Sequence, residues 1–226
     1  MERVTTVVFD LDGTLLNTLD DLADSTNHAL ERFGFPRRTL DEVRRFVGNG
    51  VRKLMERAVP DGASNPEFEA VFDCFKRHYV THCMVKTDLY PGIPELLERL
   101  KAAGYKLGIV SNKLQGGVDE LYAHYFRGTV QVAVGEREGV RRKPAPDMVE
   151  LALKELGAAK EEAVYVGDSD VDVATAAAAG LPCISVLWGF RDRDFLLRHG
   201  ASCFAETPEE VFGILQSGTF FLEKGR

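Results

Sequence analysis

Cysteine, tryptophan and methionine are scarce in this sequence, and an excess of positive charge is missing. Of 226 residues four are Cys, one is Trp and four are Met, and 28 Lys and Arg stand against 35 Asp and Glu. Cys74, Cys83, Cys183 and Cys203 show no CxxC spacing and no nearby histidine pattern of the kind that holds zinc, so they are expected as buried small hydrophobes without a function. The formal net charge of −7 argues against a nucleic-acid partner, which needs a clustered positive footprint. Long hydrophobic runs are absent too. Ile184 to Leu187 and the threonine-containing Val4 to Phe9 are of strand length, far below the roughly 20 residues that span a bilayer. The start Met1-Glu2-Arg3-Val4 has no basic segment leading into an apolar one, so neither a secretory signal nor a membrane partner is expected, and the cytoplasm is the expected compartment.

What remains is the composition of an ordinary globular chain, 45% hydrophobic and 28% charged. At roughly 150 residues per domain, the length suggests one large domain or a core carrying a smaller insert. From Tyr90 onward short aliphatic runs alternate with amphipathic stretches, the α/β rhythm. Strands are predicted at Val4 to Phe9, Leu107 to Val110, Val130 to Val134, Val164 to Val166 and Cys183 to Leu187. Each is nearly all apolar, as a parallel sheet covered on both faces demands. Ile93, Leu96, Leu97 and Leu100, with Pro94 in the first turn and Gly104 beyond the end, predict a helix. Thr207-Pro208-Glu209-Glu210 predicts another.

Between about Leu16 and Cys83 the pattern is helical only. Leu22, Ala29, Leu30 and Phe33 form one stripe, and Phe68, Phe72, Phe75, Tyr79 and Cys83 form a second. Such aromatic stripes are read as helix packing. Residues 60–66 are expected as a loop, and the apolar tail Phe220-Phe221-Leu222 is expected to pack on the core.

Candidate chemistry lies at the strand ends. Side chains on an extended segment repeat every second residue, so Asp10 and Asp12, in Asp10-Leu11-Asp12-Gly13-Thr14, are predicted to point to one side. Ligands of open α/β sheets bind at that end of the strands, although Asp-Gly is also a plain turn signal. A calcium loop is excluded by position. A start at Asp10 puts Leu15 and Asp21, and a start at Asp168 puts Val173 and Ala179, where Gly and Glu are needed. Ser111-Asn112-Lys113 offers a hydroxyl that can bond an anionic oxygen or cap a turn. Of the basic clusters, Arg37-Arg38 and Arg44-Arg45 are read as solvated charge, whereas Lys143 of Arg141-Arg142-Lys143 precedes two prolines that stiffen the backbone. A rigid ammonium there suits a phosphate, and a surface run is the plainer alternative. Asp168, Asp170 and Asp172 end another apolar run, a costly arrangement unless something cationic joins them.

In order and spacing these four elements resemble the haloacid dehalogenase superfamily, and within it the phosphoglycolate phosphatase-like branch with a helical cap. Asp10 to Thr14 is similar to the family's nucleophile loop, Ser111-Asn112 to its second motif and Lys143-Pro144 to its third. Gly167-Asp168-Ser169 with Asp172 and Ala176 to Gly180 is similar to its fourth. Tyr90-Pro91-Gly92, Gly189 and Val47-Gly48-Asn49-Gly50 extend the likeness. Asn17 and Asp170-Val171 depart from the usual residues, and are expected to affect hinge and periphery.

The resemblance implies a Rossmann-like α/β core, a parallel sheet with helices on both faces, built from residues 1–15 and 84–226, and an inserted all-helical cap at 16–83. It further implies a magnesium-dependent phosphatase acting on a small phosphorylated metabolite, 2-phosphoglycolate foremost, through an aspartyl-phosphate on Asp10. Asp12 would be the general acid and base, with a pKa raised by crowded carboxylates and burial. Asp10, the Asp12 carbonyl and Asp168 would hold Mg2+, with Asp172 orienting waters or Lys143 behind them. Thr14, Ser111, Asn112 and Lys143 would surround the phosphoryl oxygens. In the cap, Gly48, Asn49 and Arg52, beside Lys53, are candidates for reading the leaving group. A sugar phosphomutase, a pyrophosphatase or a nucleotidase would share this core, and a silent phosphate-binding module is the non-enzyme alternative. Monomer and homodimer both remain open.

Overall fold

The computed structural model describes residues 4–218, so the Phe220-Phe221-Leu222 tail lies outside the described residues. In chain order the elements are β1 (Thr6–Phe9), β2 (Leu16–Asn17), α1 (Leu19–Arg32), α2 (Leu40–Phe46), α3 (Gly50–Ala58), α4 (Phe68–His82), β3 (Asp88–Leu89), α5 (Ile93–Ala102), β4 (Lys106–Leu114), α6 (Gln115–Leu121), β5 (Val132–Glu136), α7 (Asp147–Leu156), β6 (Ala163–Gly167), α8 (Asp170–Ala179), β7 (Cys183–Val186), α9 (Arg193–Arg198), β8 (Cys203–Ala205) and α10 (Pro208–Ser217). They divide into two compact units, Met1–Leu15 with Leu89–Arg226, and Leu16–Asp88.

The first unit is built on a parallel sheet with strand order β5-β4-β1-β6-β7-β8. β1 is central and wholly buried, which explains why Thr6-Val7-Val8-Phe9 shows no polar alternation. The chain winds from β1 to β4 and β5 on one side, then to β6, β7 and β8 on the other, so a topological switch point falls beside β1. The register pairs Phe9 with both Ile109 and Val166, which brings Asp10, Ser111 and Asp168 out at one edge of the sheet. α7 and α8 pack on each other and on β4 to β7. Met148, Val149 and Ala152 meet Val8, Val110, Val134 and Tyr165 in a buried cluster. A fully buried aliphatic side chain of this kind contributes roughly 1.5–3 kcal/mol.

Three strand expectations change. β4 runs on to Leu114 instead of ending at Val110, because after a register shift Leu114 pairs again with Glu136 of β5. β5 begins at Val132, Val130 being taken by an isolated bridge to Arg127. Cys-Phe-Ala forms an eighth strand too short to register as a pattern. None of the four cysteines forms a disulfide, and only Cys74 and Cys83 are buried, Cys183 and Cys203 being half-buried.

In the second unit α1 buries Leu22, Ala29 and Leu30 and α4 buries Phe68, Phe72, Phe75 and Tyr79, while Phe33, past the end of α1, is half-exposed. The expected loop contains a 3-10 turn at Gly62–Ser64. This unit ends at Asp88, beyond the expected 83, and Asp21 supplies the reason. Its carboxylate accepts hydrogen bonds from the backbone N–H groups of Val85, Lys86 and Thr87 at 3.1, 3.0 and 2.9 Å, tying that segment to α1.

Candidate active site

Asp10 follows β1 and continues its ladder, its N–H donating to Val166 O at 2.9 Å. Its Oδ1 accepts a 2.6 Å hydrogen bond from Lys143 Nζ. The same ammonium donates to Asp172 Oδ1 at 2.8 Å and to Tyr165 Oη at 3.1 Å, which uses all three of its donors. Tyr165 in turn donates to Asp172 Oδ1 at 2.9 Å. Asp172 stands in the first turn of α8, where its Oδ2 accepts from the Ser169 N–H and hydroxyl as half of a capping box. Asp172, expected to orient waters or Lys143, is thus in direct contact with Lys143. Tyr165 is the residue that sequence reasoning missed: it counted only as strand core, and its hydroxyl is what distinguishes it from a buried Phe.

Asp12 takes other partners. Its Oδ2 accepts from Ser111 Oγ at 3.2 Å, and its Oδ1 lies 3.1 Å from Lys113 Nζ. β1 ends at Phe9 and the chain bends at Leu11, so the strand alternation that was to align Asp10 with Asp12 stops short of Asp12. Asp10, Asp168 and Asp172 have carboxylate oxygens gathered within 4.8 Å of one another. Lys113, the partner of Asp12, was quoted in the sequence motif without a role. It is aimed inward by the register shift between Val110 and Leu114, a common device for redirecting side chains next to functional sites.

Two residues expected around a phosphoryl group are engaged with the protein itself. Asn112 Nδ2 donates to the Lys143 carbonyl at 3.0 Å, while its Oδ1 accepts from the Lys143 N–H at 2.8 Å. Thr14 Oγ1 donates to Asp168 Oδ1 at 3.3 Å. Asp168 Oδ2 accepts from the Phe190 N–H at 2.7 Å, and Trp188 Nε1 donates to the Thr14 carbonyl at 2.9 Å. Gly13 is obligatory here: its φ is +92°, and a Cβ would lie 2.5 Å from Asp168 Oδ2.

The electrostatics follow from burial. Asp10, Asp168 and Asp172 are all buried, and Asp10 and Asp172 share the Lys143 ammonium. Burial and then the Asp172 charge push the Asp10 carboxyl well above the usual carboxylate range, against the pull of Lys143. The same two causes push Asp168 up to about 7. Burial alone would lower the Lys143 ammonium, but Asp10 and Asp172 outweigh it and raise it, so it stays charged. Burial and the Asp172 and Asp10 charges likewise keep Tyr165 a neutral phenol.

Carboxylate oxygens of Asp10, Asp168 and Asp172 lie within 4.8 Å of one another. Lys143 pairs with two of the three carboxylates and the Arg191 charge acts on Asp168, which still leaves more negative than positive charge in the cluster, and the donors are hard oxygens. Both observations fit a hard divalent cation. Each oxygen of Asp172 already accepts two hydrogen bonds, Oδ1 from Lys143 and Tyr165 and Oδ2 from the N–H and hydroxyl of Ser169, whereas each oxygen of Asp168 accepts one, from Thr14 and from Phe190. Asp10 and Asp168 are therefore the carboxylates available to such an ion.

In the helical unit the candidates are likewise engaged. Asn49 is the N-cap of α3, and its Oδ1 accepts from Arg57 Nη2 at 3.1 Å. Gly48 precedes it with φ +131°. Arg52 is not a free cation: it pairs with Glu69 through both terminal nitrogens, lies 3.6 Å from Glu56, and stacks over Phe68 and Phe72 at 5.1 and 5.3 Å. Lys53 pairs with Glu56.

Acidic residues gathered at the carboxyl edge of a parallel sheet, around a lysine from a distant loop, stand where the ligand sites of α/β proteins lie. Comparison with known proteins makes this specific: residues 7–186 match the model of the haloacid dehalogenase-like hydrolases, and the chain belongs to that family. It is 35% identical over 185 residues to the phosphoglycolate phosphatase of Aquifex aeolicus, covering 81% of this chain and 85% of that one. It is 33% identical over 221 residues to phosphoglycolate phosphatase 1 of Pseudomonas aeruginosa, covering 93% and 76%. A solved structure of a candidate phosphoglycolate phosphatase from Lactobacillus delbrueckii subsp. bulgaricus superposes with a TM-score of 0.91 at 35% identity, covering 95% of this chain and 99% of that one.

Proposed function

We propose that the protein is a magnesium-dependent phosphatase that hydrolyses 2-phosphoglycolate to glycolate and phosphate through an aspartyl-phosphate on Asp10. The observation that carries this reading is Asp10 itself, a buried carboxylate that ends the central strand and is gripped by Lys143 at 2.6 Å. The names of the two curated relatives support the substrate. The residues 1–15 and 89–226 form the catalytic core in this reading, and Leu16–Asp88 forms the cap.

Lys143 holds Oδ1 of Asp10 and leaves Oδ2 to attack phosphorus. Like charge is the obstacle, since a carboxylate and a phosphate oxygen about 4 Å apart repel by roughly 4 kcal/mol at an effective dielectric near 20. Mg2+ held by Asp10 and Asp168 supplies the Lewis acidity that offsets this repulsion. Lys143, itself fixed by Asp172 and Tyr165, supplies fixed positive charge at the same oxygens. Asp12 protonates the leaving alkoxide and then deprotonates the water that cleaves the aspartyl-phosphate. The carboxylate that serves this transfer is positioned by Ser111 and Lys113. Thr14 acts through Asp168, and Asn112 acts through Lys143.

Residence in the cytoplasm belongs to the same reading. The test is phosphate release from 2-phosphoglycolate, sugar phosphates, nucleotides and pyrophosphate, with magnesium and with chelator, beside Asp10→Asn. Release that is fastest on 2-phosphoglycolate, needs magnesium and vanishes in the variant is expected. Faster release from another compound would move the substrate, and release that survives Asp10→Asn would overturn the mechanism.

A further inference from the structure

Two lysines serve the two working carboxylates: Lys143 holds Asp10, and Lys113 stands at Asp12. The proposed reaction uses Lys113 only to place Asp12, which is little work for an ammonium whose side chain is 9% exposed and lies 3.1 Å from Asp12 Oδ1. Its placement is built from several sides. The Lys113 N–H donates to Ser111 Oγ at 3.1 Å, and Ser111 Oγ donates to Asp12 Oδ2 at 3.2 Å, so the backbone and the ammonium of Lys113 both close on the same carboxylate. The stem runs against the first turn of α6, where a Cβ on Gly117 would come within 3.3 Å of Lys113 Cδ.

The two ammoniums face different chemistry. Lys143 contacts the carboxylate that attacks phosphorus, whereas Lys113 contacts the one that serves the leaving oxygen. The second contact is one of charge: Asp12 Oδ1 is buried and, among the described residues, accepts no hydrogen bond. A general acid enters its step uncharged. In that step Asp12 does not balance the Lys113 charge, and positive charge withdrawn from water calls for balance. A substrate whose leaving group is itself an anion supplies it. In 2-phosphoglycolate one methylene separates the ester oxygen from the carboxylate, so the acid for the oxygen and the cation for the carboxylate have to stand side by side, as Asp12 and Lys113 do.

We propose that Lys113 binds the carboxylate of the leaving group and so sets a preference for phosphate esters of short 2-hydroxy acids, an inference that rests on the function proposed above. The candidates first sought in the helical unit are engaged with their own neighbours, Asn49 with Arg57 and Arg52 with Glu69 and Glu56. Lys113 instead belongs to the same compact unit as Asp10 and Asp12. The register shift in β4 that turns its side chain inward thereby acquires a purpose, since it sets a cation next to the acid that meets the leaving oxygen. Discrimination of this kind works by charge and position, because a neutral leaving group of the same size leaves the ammonium without the partner that the acid provides.

The test compares 2-phosphoglycolate with its amide, which has the same size and the same leaving oxygen but no charge on the leaving group, in magnesium, for the parent and for Lys113→Met. The parent is expected to prefer the acid in kcat/KM. The variant is expected to lose about 10- to 100-fold of that preference, the range for a hydrogen bond to a charged group, with most of the loss in KM for the acid. The ratio between the two compounds is the quantity read, because a disturbance of Asp12 slows both alike. Lys113→Arg keeps the charge and is expected to retain the preference, and Lys113→Gln gives the same reading as the methionine variant should that one not fold. A preference for the acid that survives in Lys113→Met or Lys113→Gln, or equal losses on the two compounds, would overturn this role and leave the proposed function standing. A parent that turns over neither compound, or the amide as fast as the acid, would overturn the substrate reading together with it.

Discussion

Asn112 brackets the backbone of Lys143, receiving its N–H at 2.8 Å and donating to its carbonyl at 3.0 Å, 31 residues apart in the chain. Both groups are buried, so the bond pair fixes the ammonium from behind while Asp10 and Asp172 fix it from the front. Asn112→Ala leaves a buried donor and acceptor without partners, each at a cost of about 1–3 kcal/mol. A fall in the unfolding midpoint and a loss of turnover at unchanged magnesium affinity are expected. Asn112→Asp, which keeps the acceptor and loses the donor, should fall between. If Asn112→Ala matches the parent in denaturant unfolding and in kcat, Lys143 is held by other means.

Tyr165 bridges Lys143 and Asp172 through one hydroxyl. Tyr165→Phe removes two hydrogen bonds to charged groups, worth about 1.5–3 kcal/mol each, while keeping the buried ring. If the hydroxyl positions Lys143 for the transition state, kcat falls while KM is nearly unchanged. Equal losses in kcat and in the folded fraction would mean that it serves stability alone.

How much of this could be read from the sequence differs between core and site. Apolar runs such as Val164 to Val166 declare buried parallel strands, because burial on both faces removes every polar position. Cys203-Phe204-Ala205 cannot declare itself in three residues, and β4 runs on through Ser111 to Leu114, across a register shift, where the composition no longer looks like a strand. At the site, the motif residues do gather at one sheet edge. What each side chain touches was not legible, since Thr14 reaches Asp168 across 154 positions and Lys143 reaches Asp10 across 133. Contacts of that span depend on strand order, which local pattern does not encode. Arg52 looked like a free cation because Glu69 stands 17 residues away on another helix.

The pairing of Asp12 with Lys113 at 3.1 Å separates its role from that of Asp10. Asp12→Asn keeps the size and the Ser111 contact but cannot carry a proton to the leaving group. Turnover should drop by about 10²–10⁴-fold, the usual contribution of a general acid or base, while magnesium binding persists because the carboxylates of Asp10 and Asp168 are intact. An Asp12→Asn enzyme with parental turnover would remove Asp12 from the reaction.

The buried carboxylates also make metal-free stability depend on pH in an unusual direction. An unfolded aspartate titrates at about 3.9, whereas burial and the Asp172 charge push folded Asp168 up to about 7. Between those values the folded protein binds more protons than the unfolded one, so the slope of unfolding free energy with pH is negative for this group. Its contribution is most favourable below the unfolded value, declines as pH rises through the window from about 4 to about 7, and stays at its lowest above it. Asp10 acts in the same sense, being raised by burial and Asp172. A cation between Asp10 and Asp168 offsets the charge that causes the decline, so magnesium should stabilise the protein more at pH 8 than at pH 5. Other carboxylates titrate in the same range, so the decisive quantity is the difference in unfolding midpoint between the parent and Asp168→Asn, measured in chelator from pH 4 to 8. That difference should shift in favour of the variant as pH rises, and added magnesium should restore the parent alone. A pH-independent difference would show that Asp168 is not held at a raised pKa in the folded protein.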